Sequence, residues 1–203
     1  MPKPRKELIS LEATPYYHCV SRCVRKAFLC GSDSTGRSFE HRRGWIEHLL
    51  IEQAKVFCID IAAYAVMSNH FHIVLHVDQT KARDLSELEI VQRWHQLYKG
   101  NLLTQKFERG DELSEAQTAI LEDIIKELRE RLMSISWYMR RLNETVARLA
   151  NEEDNCTGHL SLSAIHGLIP SGSLKAVQIV PYNLWTGRQI RENKRGAISE
   201  CEP

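Results

Sequence analysis

Residues 70–77 (HFHIVLHV) alternate histidine with apolar side chains, interrupted only by Val74. Successive side chains of a strand point to opposite faces. Phe71, Ile73, Leu75 and Val77 therefore share one wholly apolar face, and His70, His72, Val74 and His76 share the other. A register slip of one residue would exchange the two sets. It would expose four large apolar side chains, each worth about 1.5–3 kcal/mol when buried. The fold must cover the first face and leave the imidazoles on the second.

The preceding residues 59–67 (IDIAAYAVM) read as a second strand, joined to the first by a tight turn at Ser68-Asn69. His70 and His72 then stand roughly 7 Å apart along the same face. At that spacing two ring nitrogens can converge on one cation, which neutral imidazole binds well. The same pattern also suits histidines that merely line an exposed sheet face. A third reading makes the pair two thirds of a three-histidine zinc site, with His76 or a distant residue as third ligand.

Around this hairpin the chain reads in order as follows. Residues 16–22 (YYHCVSR) form a strand, 24–43 a loop with Gly31 and Gly36, and 44–57 a helix. The helix carries Ile46, Leu49, Leu50, Gln53 and Val56 at spacings of three or four. Residues 84–98 form another, with Leu88, Val91, Trp94 and Tyr98 inward and Gly100 as its stop. Ser114, with Glu115 and Gln117, caps a helix whose stripe is Ile120, Ile124, Leu128 and Leu132. A last helix spans 134–150, with Ile135, Tyr138, Met139, Leu142, Val146 and Leu149 on one side. The order strand, helix, strand, strand, helix predicts an α+β, ferredoxin-like antiparallel sheet with helices on one face, followed by extra helices. No final strand of that pattern is evident. The expected organisation is a basic tail over 1–13, one domain over 14–158, and a tail over 159–203 without strand or helical period.

Composition bears on partners and compartment. The net charge is +1, but residues 1–48 hold nine Lys or Arg against five Asp or Glu. Such a basic third can lie along phosphates, or can simply be solvated. No stretch approaches the roughly 18 apolar residues of a membrane span. The opening MPKPRKE has no apolar run behind it, which argues against a signal peptide. The six cysteines contain no Cys-x-x-Cys pair, so neither a zinc knuckle nor a disulfide framework is expected, and a reducing cytoplasm fits.

The segments YYHCVSR, HRRGW, AYAVMSNHFHIVLH, RWHQLYKGN, ISWYMRRLNE and EDNCTG together resemble the single-tyrosine HUH transposases, closest to the branch of REP-associated tyrosine transposases. The likeness covers roughly residues 4–160. It implies a metal-dependent nuclease and strand transferase in DNA transposition, acting on single-stranded DNA, often at hairpin ends, and commonly as a homodimer. It also implies that His70 and His72 hold Mg²⁺ or Mn²⁺ on the scissile phosphate. A tyrosine would attack phosphorus to give a phosphotyrosine link that preserves the phosphodiester energy.

The likeness stops after Gly158. The family continues with a Trp-x-Gly-Arg-Phe-like motif and a helix bearing the nucleophilic tyrosine. Here His159-Leu160-Ser161-Leu162-Ser163 follows, as in a disordered tail or a shifted reading frame. Tyr138 falls on the apolar side of its helix and Tyr182 follows a proline outside any helical period, so neither suits the nucleophile. Three functions compete: the DNA-nicking transposase, a DNA-binding remnant without catalysis, and a zinc hydrolase using His70, His72 and His76. Arg22, Arg140 and Arg141 are the candidate DNA contacts.

Overall fold

A computed structural model describes residues 9–23, 28–155 and, for the backbone alone, 162–167. The element order is β1 (Tyr16–Cys23), α1 (His41–Val56), β2 (Ile59–Val66), β3 (His70–Val77), α2 (Gln79–Asp84), α3 (Glu87–His95), α4 (Leu102–Arg109), α5 (Glu115–Leu132), α6 (Ile135–Glu153) and β4 (Leu162–Gly167). The strands form one antiparallel sheet in the order β2-β3-β1-β4. The architecture is α+β, as the alternation and element order predict.

Phe71, Ile73, Leu75 and Val77 are all buried, while His70, His72, Val74 and His76 are half-buried. Tyr17, Cys19, Ser21 and Cys23 form the matching buried set on β1. α6 crosses this face: Ser21 Oγ donates to Asn143 Oδ1 at 2.9 Å. The Tyr138 hydroxyl donates to the Leu50 carbonyl of α1 at 3.2 Å. The other face of the sheet carries the histidines. Four described cysteines, Cys19, Cys23, Cys30 and Cys58, are buried free thiols. Among the described residues no helix is long and apolar enough to cross a membrane.

Several boundaries differ from the sequence reading. α1 begins at His41 rather than residue 44, because the Arg42 side chain is drawn into the interior by acids at the end of α6. The helix expected over 84–98 is α3, Glu87–His95, and the short α2 that ends at Asp84 has no counterpart in the expectation. Ser86 caps α3 with Glu89 in a reciprocal capping box, which ends the preceding turn. Leu88 is consequently 41% exposed, and Ile90, Val91 and Trp94 form the inner stripe. In α5 the buried residues are Leu121, Ile125, Leu128 and Leu132, whereas Ile120 is 54% exposed. The Ser114–Gln117 capping box is present as read. α4 has no counterpart in the sequence reading; Asn101 and Thr104 cap it, and Gly110 ends it with φ of 77°.

The fourth strand is the larger correction. The backbone of Leu162–Gly167 pairs antiparallel with β1, from His18 opposite Gly167 to Cys23 opposite Leu162. A stretch without strand period thus completes the ferredoxin-like unit, since pairing to a formed strand needs only extended backbone. The expected tail beyond Gly167, with Tyr182, and the basic stretch 1–8 lie outside the described residues.

Candidate nucleic-acid and metal site

The site is built at the start of β3. Met67 N donates to His70 O at 2.9 Å, closing the turn between β2 and β3. The turn's outward carbonyls are taken up by neighbours: Cys23 N donates to Asn69 O at 2.8 Å and Leu29 N to Ser68 O at 2.6 Å. A held turn fixes where His70 leaves the sheet.

His70 and His72 project side by side, ring centroids 5.1 Å apart and planes at 71°. His70 Nδ1 lies 2.6 Å from Asn69 Oδ1. Only the ring N–H can donate in that contact, so the lone pair of His70 sits on Nε2. His72 Nδ1 lies 2.9 Å from His18 Nε2, and these two rings stack with centroids 5.1 Å apart. When His72 donates from Nδ1, its own Nε2 likewise keeps a lone pair. Engaging one ring nitrogen to orient the other is the usual support of a ligating histidine. Burial and then the adjacent His72 hold His18 below its ordinary 6.5. Burial, then His72 and Arg22, do the same to His70. For His70 the shift favours the neutral imidazole, the form that binds metal.

His18 escaped the sequence reading. Its signal was present, since Tyr16, His18, Val20 and Arg22 alternate on β1 as the histidines do on β3. What could not be read was the register that sets Val20 opposite His72 and Arg22 opposite His70.

Among the described residues no group of three or more His, Cys, Asp or Glu side chains is arranged to hold a metal ion. His70 and His72 are thus a two-nitrogen set. Two imidazoles leave most of a divalent ion's coordination to water or phosphate oxygens, the ligands that Mg²⁺ and Mn²⁺ prefer. His76 stands apart, four residues beyond His72 and about 13 Å along the strand. Its Nδ1 faces Asp60 Oδ2 at 3.4 Å, which separates it from the other two imidazoles of the proposed zinc triad.

The candidate DNA contacts divide. Arg22 is exposed on the histidine face, opposite His70. Arg140 and Arg141 lie on α6 in the helical layer. Arg140 Nε pairs with Glu144 at 2.7 Å, and its guanidinium lies over Trp137. Arg141 lies over the Tyr98 ring at 5.7 Å.

No described tyrosine adjoins the histidine pair. Tyr138 is fully buried, and burial followed by Cys19 pushes its hydroxyl far up. Tyr17 is buried too. Tyr64, opposite Ile73 on the helix-covered side, is pushed up to about 12 by burial and then by Glu47. Tyr98 stacks on Trp94. Tyr16 shares the histidine face but sits opposite His76.

Compared with protein-family models, with curated proteins and with solved structures, the chain has no match in any of the three.

Proposed function

We propose that this chain binds single-stranded DNA in the manner of a single-tyrosine HUH transposase, with His70 and His72 holding Mg²⁺ or Mn²⁺ against a phosphate. The observation that carries this reading is the pair of imidazoles side by side on one sheet face, each with its Nδ1 engaged. Arg22 beside His70 adds the positive charge that a phosphate needs. When bound, the ion would polarise a phosphoryl oxygen and spread developing negative charge. The chain's own part is to orient the two rings through Asn69 and His18 and to place Arg22 along the backbone.

Transposition needs a nucleophile as well, and none of the described tyrosines stands where it could attack. The reading therefore separates into a DNA-nicking transposase, whose tyrosine lies among the residues not described, and a DNA-binding remnant. Incubation with a hairpin-ended single strand and Mn²⁺ distinguishes them. A covalent adduct mapping to a tyrosine establishes the enzyme. Metal-dependent binding without cutting establishes the binder. Binding that needs no metal and survives both His70→Ala and His72→Ala would sink the whole proposal. Sedimentation with and without the hairpin tests the homodimer that the resemblance implies, and stoichiometric zinc after purification would favour a hydrolase instead.

A further inference from the structure

Two polar clusters away from the histidine pair are closed to ligands. Arg42 is saturated by Glu153, Asp154 and the Phe28 carbonyl. Thr104, which His95 Nε2 meets at 3.0 Å, is 1% exposed. The far end of the open sheet face is different. There the rings of Tyr16 and His76 pair across β1 and β3 with centroids 4.7 Å apart, both half-buried. Asp60 lies beside them, 3.4 Å from His76 Nδ1 and 3.7 Å from Lys81 Nζ.

We infer that the Tyr16–His76 pair is a nucleobase-stacking subsite for the single strand whose phosphate lies at His70 and His72. The inference rests on the DNA-binding reading above and adds where the strand runs. Between the two ends one row crosses the sheet, Ala63 and His18 on either side of Val74, and Val20 and Ala65 flank His72 in the next. Val20, Val74, Ala63 and Ala65 are small, and the His18 ring lies stacked on His72, so sugars and bases have room along β3. The carboxylate of Asp60 is engaged by Lys81 and His76, so its charge is offset where a phosphate would pass. Arg22 supplies the cation at the His70 end of the path. The outer face of a tyrosine or imidazole ring accepts any base, because every base has a π-face. A cross-strand aromatic pair also steadies a sheet, but that role would leave DNA affinity untouched.

The test is anisotropy of labelled oligothymidylates of about two to twelve nucleotides, from below the roughly 13 Å span to well within the usual size of single-strand sites, with Mn²⁺. Wild-type affinity should rise with length and level off once the strand spans the roughly 13 Å from His72 to His76. Tyr16→Leu should weaken the long strands about 5- to 150-fold and leave the shortest unchanged. Tyr16→Phe should bind like wild type, and abasic strands should bind the wild-type and Tyr16→Leu proteins alike. If Tyr16→Leu binds every length as tightly as wild type while His70→Ala abolishes metal-dependent binding, the subsite is wrong and the DNA reading stands. If the wild-type protein binds no strand, with or without Mn²⁺, both fall together.

Discussion

His18 shows how much a single residue can add to a site without touching the substrate. Its Nε2 meets His72 Nδ1 at 2.9 Å, which orients the His72 ring and, when His72 donates, leaves the lone pair on its Nε2. Removing such a support costs a metal site about 10- to 100-fold in affinity. His18→Ala should therefore lower Mn²⁺ affinity by that factor in a calorimetric titration, with the fold retained; unchanged affinity would remove His18 from the site. Gln53 makes the opposite point. It is buried in α1, and neither of its amide atoms has a hydrogen-bond partner among the described residues. Its place in the apolar stripe was legible, but the cost of its amide there was not. An unpaired buried polar group costs about 1–3 kcal/mol. Gln53→Met, of similar length, is expected to raise the free energy of unfolding by about 1–2 kcal/mol in urea; a destabilised variant would mean that the amide is satisfied.

At the scale of elements, the ends of α1 and α6 are held by one guanidinium. Arg42, 2% exposed, donates from Nε to Glu153 at 2.8 Å and from Nη2 to Asp154 at 2.6 Å. Arg37 and His41 reinforce the same acids. Breaking a fully buried pair costs about 3–5 kcal/mol, and the partial exposure of the two acids reduces that. Arg42→Met should cost about 2–3 kcal/mol by chemical denaturation. Partial burial pushes the Glu153 carboxyl up, but hydrogen bonds from Arg42 and His41 outweigh it and set its pKa below 4.5. The folded state then binds fewer protons than the unfolded one, so this stabilisation is present above pH 4.5 and is lost as pH falls through the lowered value. Glu153→Gln should flatten the acid limb of the stability profile; an unchanged limb would assign the acid sensitivity elsewhere. The elements themselves were largely legible, because amphipathic periods and capping boxes are local. The short α2 was not, since six residues with one buried side chain, Ala82, carry no apolar period.

For the whole molecule, the sheet separates two kinds of arginine. Arg22 shares a face with the histidines, whereas Arg140 and Arg141 lie in the helical layer over Trp137 and Tyr98. A residue that contacts phosphate contributes about one unit to the salt slope of binding. Arg22→Glu should weaken single-strand binding and reduce that slope by about 1. Arg140→Glu and Arg141→Glu should change neither; loss of binding in those variants would place DNA on the helical layer and refute the assignment to the open face.

The sequence by itself determined which side chains of β3 face each other and which face the core, because a period of two leaves a strand no other way to bury four apolar residues. It determined most of the helices for the same reason, with boundaries a few residues adrift. Only the tertiary structure decided the company that His70 and His72 keep. His18 joins them across 54 residues of chain, and Arg22 does so through the β1–β3 register, while His76 is left at the far end with Tyr16. The fourth strand was likewise settled by the exposed edge of β1, which accepts an extended backbone whatever its side-chain pattern. Local periodicity fixes faces; cross-strand register, a long-range property, fixes neighbours.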